Sequence, residues 1–226
     1  VIVADGLIQQ VTPGRYSGPL PTIDLEGVAL SPGLIDLMAN GGFGQSFVRD
    51  GVTEFARQYL RLGVTSCQTC FGTLPWDQAR VVADHTHAQM VEDSADACRI
   101  VGLYIEGPFI LPECRGGNLA EYALEPTPVN VQKVLDVLGH AVTMINVSPG
   151  LDGDVQAIAT LTAAGKVVTM AHSNASAQRV LACIEAGTTN LGHAFDNNSG
   201  GPSEPGSQQP TLEQVAMVDD RVRFVH

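Results

Sequence analysis

The sequence is poor in the features that bind polyanions or membranes. Its 226 residues include 12 Lys and Arg against 24 Asp and Glu, a net charge of −12, and the positive residues form no cluster. A basic patch is the footprint of nucleic-acid binding, so we predict no nucleic-acid partner. No apolar run reaches the roughly 18 residues of a membrane helix, and no signal peptide is visible, so we predict no membrane association.

Cysteine is scarce and odd in number, which argues against a disulfide framework. The spacing of the five cysteines is also not that of such a framework, so we predict a reducing compartment and a cytoplasmic location. They are Cys67, Cys70, Cys98, Cys114 and Cys183. Hydrophobic residues make up 44% of the chain, enough for one large domain with a sizeable core.

The first 30 residues read as a small β unit. Residues 1–4 and 7–11 are β-like runs, and the intervening Asp5-Gly6 is a strong signal for a tight hairpin turn. A link rich in Pro and Gly follows, and residues 27–30 form another short β-like run. We therefore assign residues 1–30 to a small β domain.

From residue 31 the pattern changes to alternating strands and helices. The apolar strands are predicted to end near Asn40, Thr73, Glu106, Ser148, His172 and His193. The helices between them are predicted over residues 52–62, 76–92, 129–138, 155–164 and 177–186. Alternating β and α with near-continuous apolar strands predicts an α/β fold with a parallel sheet.

Residues 221–226 resemble a seventh strand of this sheet, at which the sequence ends. A closed (β/α)8 barrel needs eight strands. We therefore expect residues 31–226 to be either a smaller open sheet or strands 1 to 7 of a barrel whose chain continues.

Two histidines occupy matching positions in consecutive strand-helix repeats. His172 ends the strand in GKVVTMAHSNA, and His193 ends the next one, 21 residues later. Side chains at the same end of neighbouring parallel strands can converge. The alternative is that each is a hydrogen-bonded structural histidine.

A glutamate at a third strand end favours the metal-ligand interpretation. Glu106 interrupts the apolar run RIVGLYIEGP, where a carboxylate is costly to bury unless a cation or hydrogen-bond donor holds it. One Glu and two His form a metal-ligand set. Three protein ligands leave a position for water, as in catalytic zinc sites.

Four motifs together resemble the N-acetylglucosamine-6-phosphate deacetylase family of the amidohydrolase superfamily. They are SPGLIDLMANGG (31–42), LYIEGPF (103–109), AHSNAS (171–176) and GHAFDN (192–197). The resemblance implies a (β/α)8 barrel with a small β-sandwich, a homodimer, and removal of the acetyl group from a small N-acetyl sugar. It also implies one divalent metal held by Glu106, His172 and His193, with zinc first and iron, cobalt or manganese as alternatives.

Two features of the resemblance concern the catalytic residues. Many superfamily members carry His-x-His at the end of the first strand for a second metal, and here these positions are Met38 and Asn40, so we expect one metal. The family's general base is an aspartate at the end of the eighth strand. We expect it, and the partner strands of the sandwich, beyond this sequence, and the sequence as given to be inactive.

The substrate side departs further from the family. A family histidine falls at Asn118, and the Asn-Ala pair that contacts the sugar reads Asp196-Asn197. We take these three residues as candidate substrate contacts. The family's phosphate-binding arginine falls near Ser203, where no cation stands. This leaves two alternatives open: a hydrolase of an unphosphorylated N-acyl substrate, and a non-catalytic relative.

We predict that Ser203→Arg in the complete protein shifts preference toward a phosphorylated sugar, because Arg binds phosphate through paired N–H donors. The measurement is kcat/KM for the phosphorylated and free sugars, with Ser203→Gln as the uncharged control. An unchanged ratio would contradict the assignment of this loop to phosphate binding.

Overall fold

The computed structural model describes residues 1–92, 94–196, 198 and 210–225. These residues divide into two compact units, Val1–Pro32 and Gly33–His226. Within the described residues, no helix is long and apolar enough to cross a membrane.

The first unit contains an antiparallel hairpin of β1 (Ile2–Ala4) and β2 (Leu7–Gln10). Asp5 and Gly6 join the strands with φ of 52° and 72°, the left-handed pair that a tight two-residue hairpin turn needs. The predicted β-like run at 27–30 is wrong. Glu26 and Gly27 also take positive φ, and the Val28 amide bonds to the Leu25 carbonyl, so the chain turns there. The assignment of residues 1–30 to a sandwich stays a prediction.

The second unit is built on a parallel sheet, as the sequence pattern predicts. Its strands, in the part of the chain that is described, are β3 (Leu34–Ala39), β4 (Val64–Phe71), β5 (Arg99–Phe109), β6 (Val142–Val147), β7 (Val167–Met170), β8 (Asn190–Leu191) and β9 (Phe224–Val225). They lie side by side in chain order, and each pairs in parallel with the next. All carboxyl ends therefore meet at one edge of the sheet.

The helices lie close to their predicted bounds. They are α1 (Thr53–Arg61), α2 (Trp76–Val91), α3 (Pro128–Leu138), α4 (Asp154–Ala163), α5 (Ala177–Glu185) and α6 (Leu212–Ala216). Local signals fix their starts: the side chains of Thr127 and Ser176 accept hydrogen bonds from the backbone at the beginning of α3 and α5. The sequence pattern did not predict α6.

The main core is formed by the strands and the helices that follow them. Leu103 and Ile105 in β5 are fully buried, and the apolar faces of the helices contribute Phe55, Val134, Ile158 and Val180. Tyr104, between the two β5 residues, is also buried, packed with Cys70 and Met144. Both faces of β5 are thus covered, which explains its continuous apolar sequence.

A buried carboxylate organises the loop after β6. Asp154 is fully buried, accepts hydrogen bonds from the Gly150 and Val155 amides, and pairs with Arg179 of α5. Arg179 also donates to the Leu151 carbonyl. The pair therefore ties the loop between β6 and α4 to α5, at the carboxyl edge of the sheet.

We predict that Arg179→Ala lowers the free energy of unfolding of the complete protein by about 2–3 kcal/mol, because it leaves a buried carboxylate with only backbone amides and the weak Cys183 thiol as donors. Urea denaturation measures the change. Arg57→Ala is the control, since Arg57 pairs with Asp96 at an exposed position where an ion pair contributes little. Equal midpoints for both variants would show that the Asp154 pair is not stabilising.

Candidate metal centre

Three side chains predicted as metal ligands meet at the carboxyl edge of the sheet. Glu106 lies in β5, His172 lies two residues beyond the end of β7, and His193 lies two residues beyond the end of β8. One potential ligand atom from each lies within 4.8 Å of the others. Three parallel strands of one sheet, with β6 lying between β5 and β7, deliver all three side chains to one point.

The contacts within this cluster centre on one carboxylate oxygen. Oε1 of Glu106 is 2.7 Å from Nε2 of His172 and 3.0 Å from Nε2 of His193. The two imidazole rings meet edge to face, with centroids 4.7 Å apart. His172 is 1% exposed and His193 is 18% exposed, so the site is open to solvent on the His193 side.

The environment of His172 fits a cation at this point. Its Nδ1 lies 2.8 Å from the Cys114 carbonyl, which can only accept, so Nδ1 carries a proton. A neutral imidazole then presents its Nε2 lone pair to a carboxylate oxygen. That approach needs positive charge, supplied either by a second proton or by a divalent cation shared with Glu106, and the carbonyl is the usual partner of a metal-ligating histidine.

The carboxylate of Glu106 is held in the ionised form that binds metals. Burial raises its pKa, but hydrogen bonds from His172, His193 and Asn118 outweigh burial and hold the pKa well below its usual range. The donor set of one carboxylate and two imidazoles therefore fits a divalent metal.

Both histidines of the cluster lie on turns with unusual backbone geometry. His172 and His193 have φ of 55° and 50°, a left-handed conformation that few non-glycine residues adopt. Such residues persist only where surrounding contacts hold them, and they cluster at functional sites.

One of these contacts comes from Asn198, whose role the sequence did not indicate. Its side-chain amide donates to the carbonyls of Gly192 at 3.3 Å and His193 at 3.0 Å, and its Oδ1 accepts from the Ser173 amide at 3.4 Å. Asn198 thus joins the two turns that carry the histidines. The only sequence signal for it is its place in a polar loop after His193.

A second unforeseen contact comes from Glu213 in α6. Its side chain is buried, and Oε1 accepts a hydrogen bond from the Phe195 amide at 3.1 Å. Phe195 lies two residues after His193 and also has positive φ. Glu213 therefore supports the His193 turn from a helix that was not predicted.

The structure places Asn118 on the metal-ligand cluster itself. Its Nδ2 donates to Oε1 of Glu106 at 2.8 Å, and its Oδ1 accepts from the Thr73 amide at 2.7 Å. Its predicted contact with substrate stays a prediction.

The other predicted substrate contacts are less closely tied to the cluster. Asp196 is exposed on the turn after His193, where its amide bonds to the His193 carbonyl. Asn197, and the loop position Ser203, lie outside the described residues. Met38 lies partly buried beside Cys70 and Tyr104. In the described ranges, no second cluster of three His, Cys, Asp or Glu side chains could hold a metal.

Comparisons with known proteins agree with the sequence resemblance. No protein-family model matches the chain. N-acetylglucosamine-6-phosphate deacetylase of Rattus norvegicus is 31% identical over 182 residues, covering 76% of this chain and 44% of the relative. N-acetylgalactosamine-6-phosphate deacetylase of Escherichia coli O157:H7 is 26% identical over 201 residues, covering 88% and 52%.

Solved structures give the same result. N-acetyl-D-glucosamine-6-phosphate deacetylase from Mycobacterium smegmatis superimposes with a TM-score of 0.74 at 26% identity, covering 85% of this chain and 50% of that one. A mutant of that enzyme in complex with N-acetyl-D-glucosamine-6-phosphate gives 0.72 at 25%, covering 85% and 49%. The resemblance and the barrel fold class are confirmed, and the chain spans about half the length of the relatives it matches.

We predict that the complete wild-type protein retains about one divalent ion per chain after dialysis and that Glu106→Gln, His172→Ala and His193→Ala lose most of it, because each removes one of three ligands. Elemental analysis is the measurement. His87→Ala is the control, since His87 lies exposed on α2, outside the cluster. Stoichiometric metal in any of the three ligand variants would contradict that ligand's assignment.

Proposed function

We propose that the complete protein is a metal-dependent amide hydrolase. It removes the acetyl group from N-acetylglucosamine-6-phosphate or a closely related N-acetyl amino sugar. The observation that carries this proposal is the convergence of Glu106, His172 and His193 at the carboxyl edge of a sheet that superimposes on such deacetylases. This edge is where barrel enzymes place their active sites.

We propose zinc as the metal, with iron, cobalt and manganese as alternatives, since one carboxylate and two imidazoles suit all of these ions. When bound, the metal polarises an amide carbonyl and makes water a nucleophile near neutral pH. Glu106 supplies the charged ligand. His172 supplies a neutral one whose orientation is fixed by the Cys114 carbonyl.

The remaining chemistry is divided between this chain and segments outside it. The family resemblance assigns the general base to an aspartate that this sequence does not contain, and we propose that base for the complete protein. Asp196 and Asn197 are proposed to contact the sugar from the turn after His193. We also propose the homodimer and the cytoplasmic location on the resemblance and the composition.

An exposed cation, Arg115, lies on the loop whose backbone contacts His172, and it is a candidate partner for the phosphate. Arg115 directly follows Cys114, whose carbonyl holds His172, and its guanidinium bonds to the Pro112 carbonyl at 3.2 Å. An exposed guanidinium on this loop can bind a phosphate dianion through paired N–H donors. It offers the 6-phosphate a partner that the loop near Ser203 lacks.

The second candidate function is hydrolysis of an unphosphorylated N-acyl substrate. The observations that favour it are the net charge of −12 and the absence of a cation at Ser203. A non-catalytic relative is the third reading, favoured by the departures from the family at Asn118 and Asp196. The substrate assay below separates all three.

We predict that the complete protein deacetylates N-acetylglucosamine-6-phosphate with higher kcat/KM than free N-acetylglucosamine. Arg115→Ala should raise KM for the phosphorylated sugar about 10-fold or more, the scale of one charge-assisted hydrogen bond, and leave KM for the free sugar unchanged. Release of acetate measures both reactions.

The control is Arg49→Ala, since Arg49 is an exposed arginine paired with its neighbour Asp50. Preference for the free sugar would favour the second candidate function. If the protein retains metal but hydrolyses neither sugar and no other N-acyl amine, the result would favour the non-catalytic alternative.

A further inference from the structure

Asn118 joins three segments at the metal-ligand cluster. Its side-chain amide donates to Oε1 of Glu106 at 2.8 Å and to the Arg115 carbonyl at 3.2 Å, while its Oδ1 accepts from the Thr73 amide at 2.7 Å. Both N–H donors and the carbonyl oxygen of this side chain are therefore engaged within the protein.

The approach of Asn118 to the loop after β4 requires glycine at residue 72. A Cβ built on Gly72 would lie 2.1 Å from Oδ1 of Asn118, well inside contact distance. Gly72 does not have a left-handed backbone. Glycine is therefore required here because it has no Cβ, and not because of its backbone freedom.

Thr73 and Leu119 strengthen the same junction. Oγ1 of Thr73 accepts from the Leu119 amide at 2.7 Å and donates to the Leu119 carbonyl at 2.9 Å. Thr73 is buried. The residue that follows Asn118 is thus fastened to the loop after β4, which leaves the Asn118 side chain little freedom to turn elsewhere.

We infer that Asn118 is a positioning residue for the metal ligand Glu106. Gly72 leaves room for the Asn118 side chain, and Thr73 holds that side chain in place. This inference rests on the proposed function. A cation shared by Glu106 and the histidines would replace the His–carboxylate contacts, whereas the Asn118 contact does not depend on the cation. Asn118 thus orients the carboxylate before and after a metal binds.

The test compares zinc affinity in the complete wild-type protein and in Asn118→Ala, Gly72→Ala and Gly117→Ala, by competition with a chelator. Losing a partner that orients a ligand weakens metal binding about 10- to 100-fold, so we expect this loss in the first two variants. Gly117→Ala is the matched control, because a Cβ at that loop position meets nothing within 4 Å.

The double variant Gly72→Ala/Asn118→Ala tests whether Gly72 acts through Asn118. With Oδ1 gone, the added Cβ has no clash, so we expect zinc affinity equal to that of Asn118→Ala alone. A further loss in the double variant would overturn the assigned role of Gly72. If Asn118→Ala does not fold, Gly72→Ala decides the inference on its own.

Deacetylation kinetics separate positioning from substrate contact. If Asn118 acts through Glu106, the activity of Asn118→Ala recovers as zinc is raised. If Asn118→Ala binds zinc as tightly as the wild type but has a raised KM at all zinc concentrations, the inference is overturned. Asn118 is then a substrate contact, and the proposed function is intact. Absence of binding of zinc, iron, cobalt and manganese by the wild type would overturn the proposed function and the inference with it.

Discussion

The candidate site depends on one buried carboxylate and the groups that hold it. A charged Glu106 at the end of an apolar strand is unfavourable unless donors or a cation surround it. The structure brings polar groups from three different loops to one oxygen: the imidazoles of His172 after β7 and His193 after β8, and the donating amide of Asn118 after β5. Each loop is thereby oriented toward the same point. The loops converge because the buried charge of Glu106 needs polar partners.

The loops are in turn fixed by contacts that do not involve the side chains of the metal-ligand cluster. Asn198 joins the turns of His172 and His193, Glu213 supports the second turn from α6, and Asp154 with Arg179 ties the neighbouring loop to α5. Positioning to within a fraction of an ångström requires such supporting contacts, because a ligand on an unsupported loop loses its orientation. The strained φ of both histidines is maintained by the same contacts.

Sequence reasoning placed the repeating elements well because their signals are local. Alternating apolar strands and capped helices specify their own bounds, and α5 begins at its predicted residue, Ala177. The convergence of Glu106, His172 and His193 followed from the parallel sheet. The run at 27–30 failed because the left-handed turn at Glu26 and Gly27 overrides a weak β propensity. Asn198 and Glu213 could not be foreseen, since their contacts depend on loop paths that no periodicity describes.

The sequence predicted that Asn118 belongs to the site, but its orientation depends on Gly72, a glycine far away in the sequence. The resemblance to the deacetylases marks residue 118 as part of the site, but it says nothing of which way an asparagine there turns. The short side chain reaches Thr73 and Glu106 together only because Gly72 leaves room for its carbonyl oxygen. The candidate metal site is thus specified by close internal contacts, in which each atom constrains the next. The part that would hold the sugar lies on exposed loops, where residues such as Asp196 and Arg115 can change without disturbing the fold. Substrate preference can therefore diverge within this architecture while the ligand cluster stays fixed.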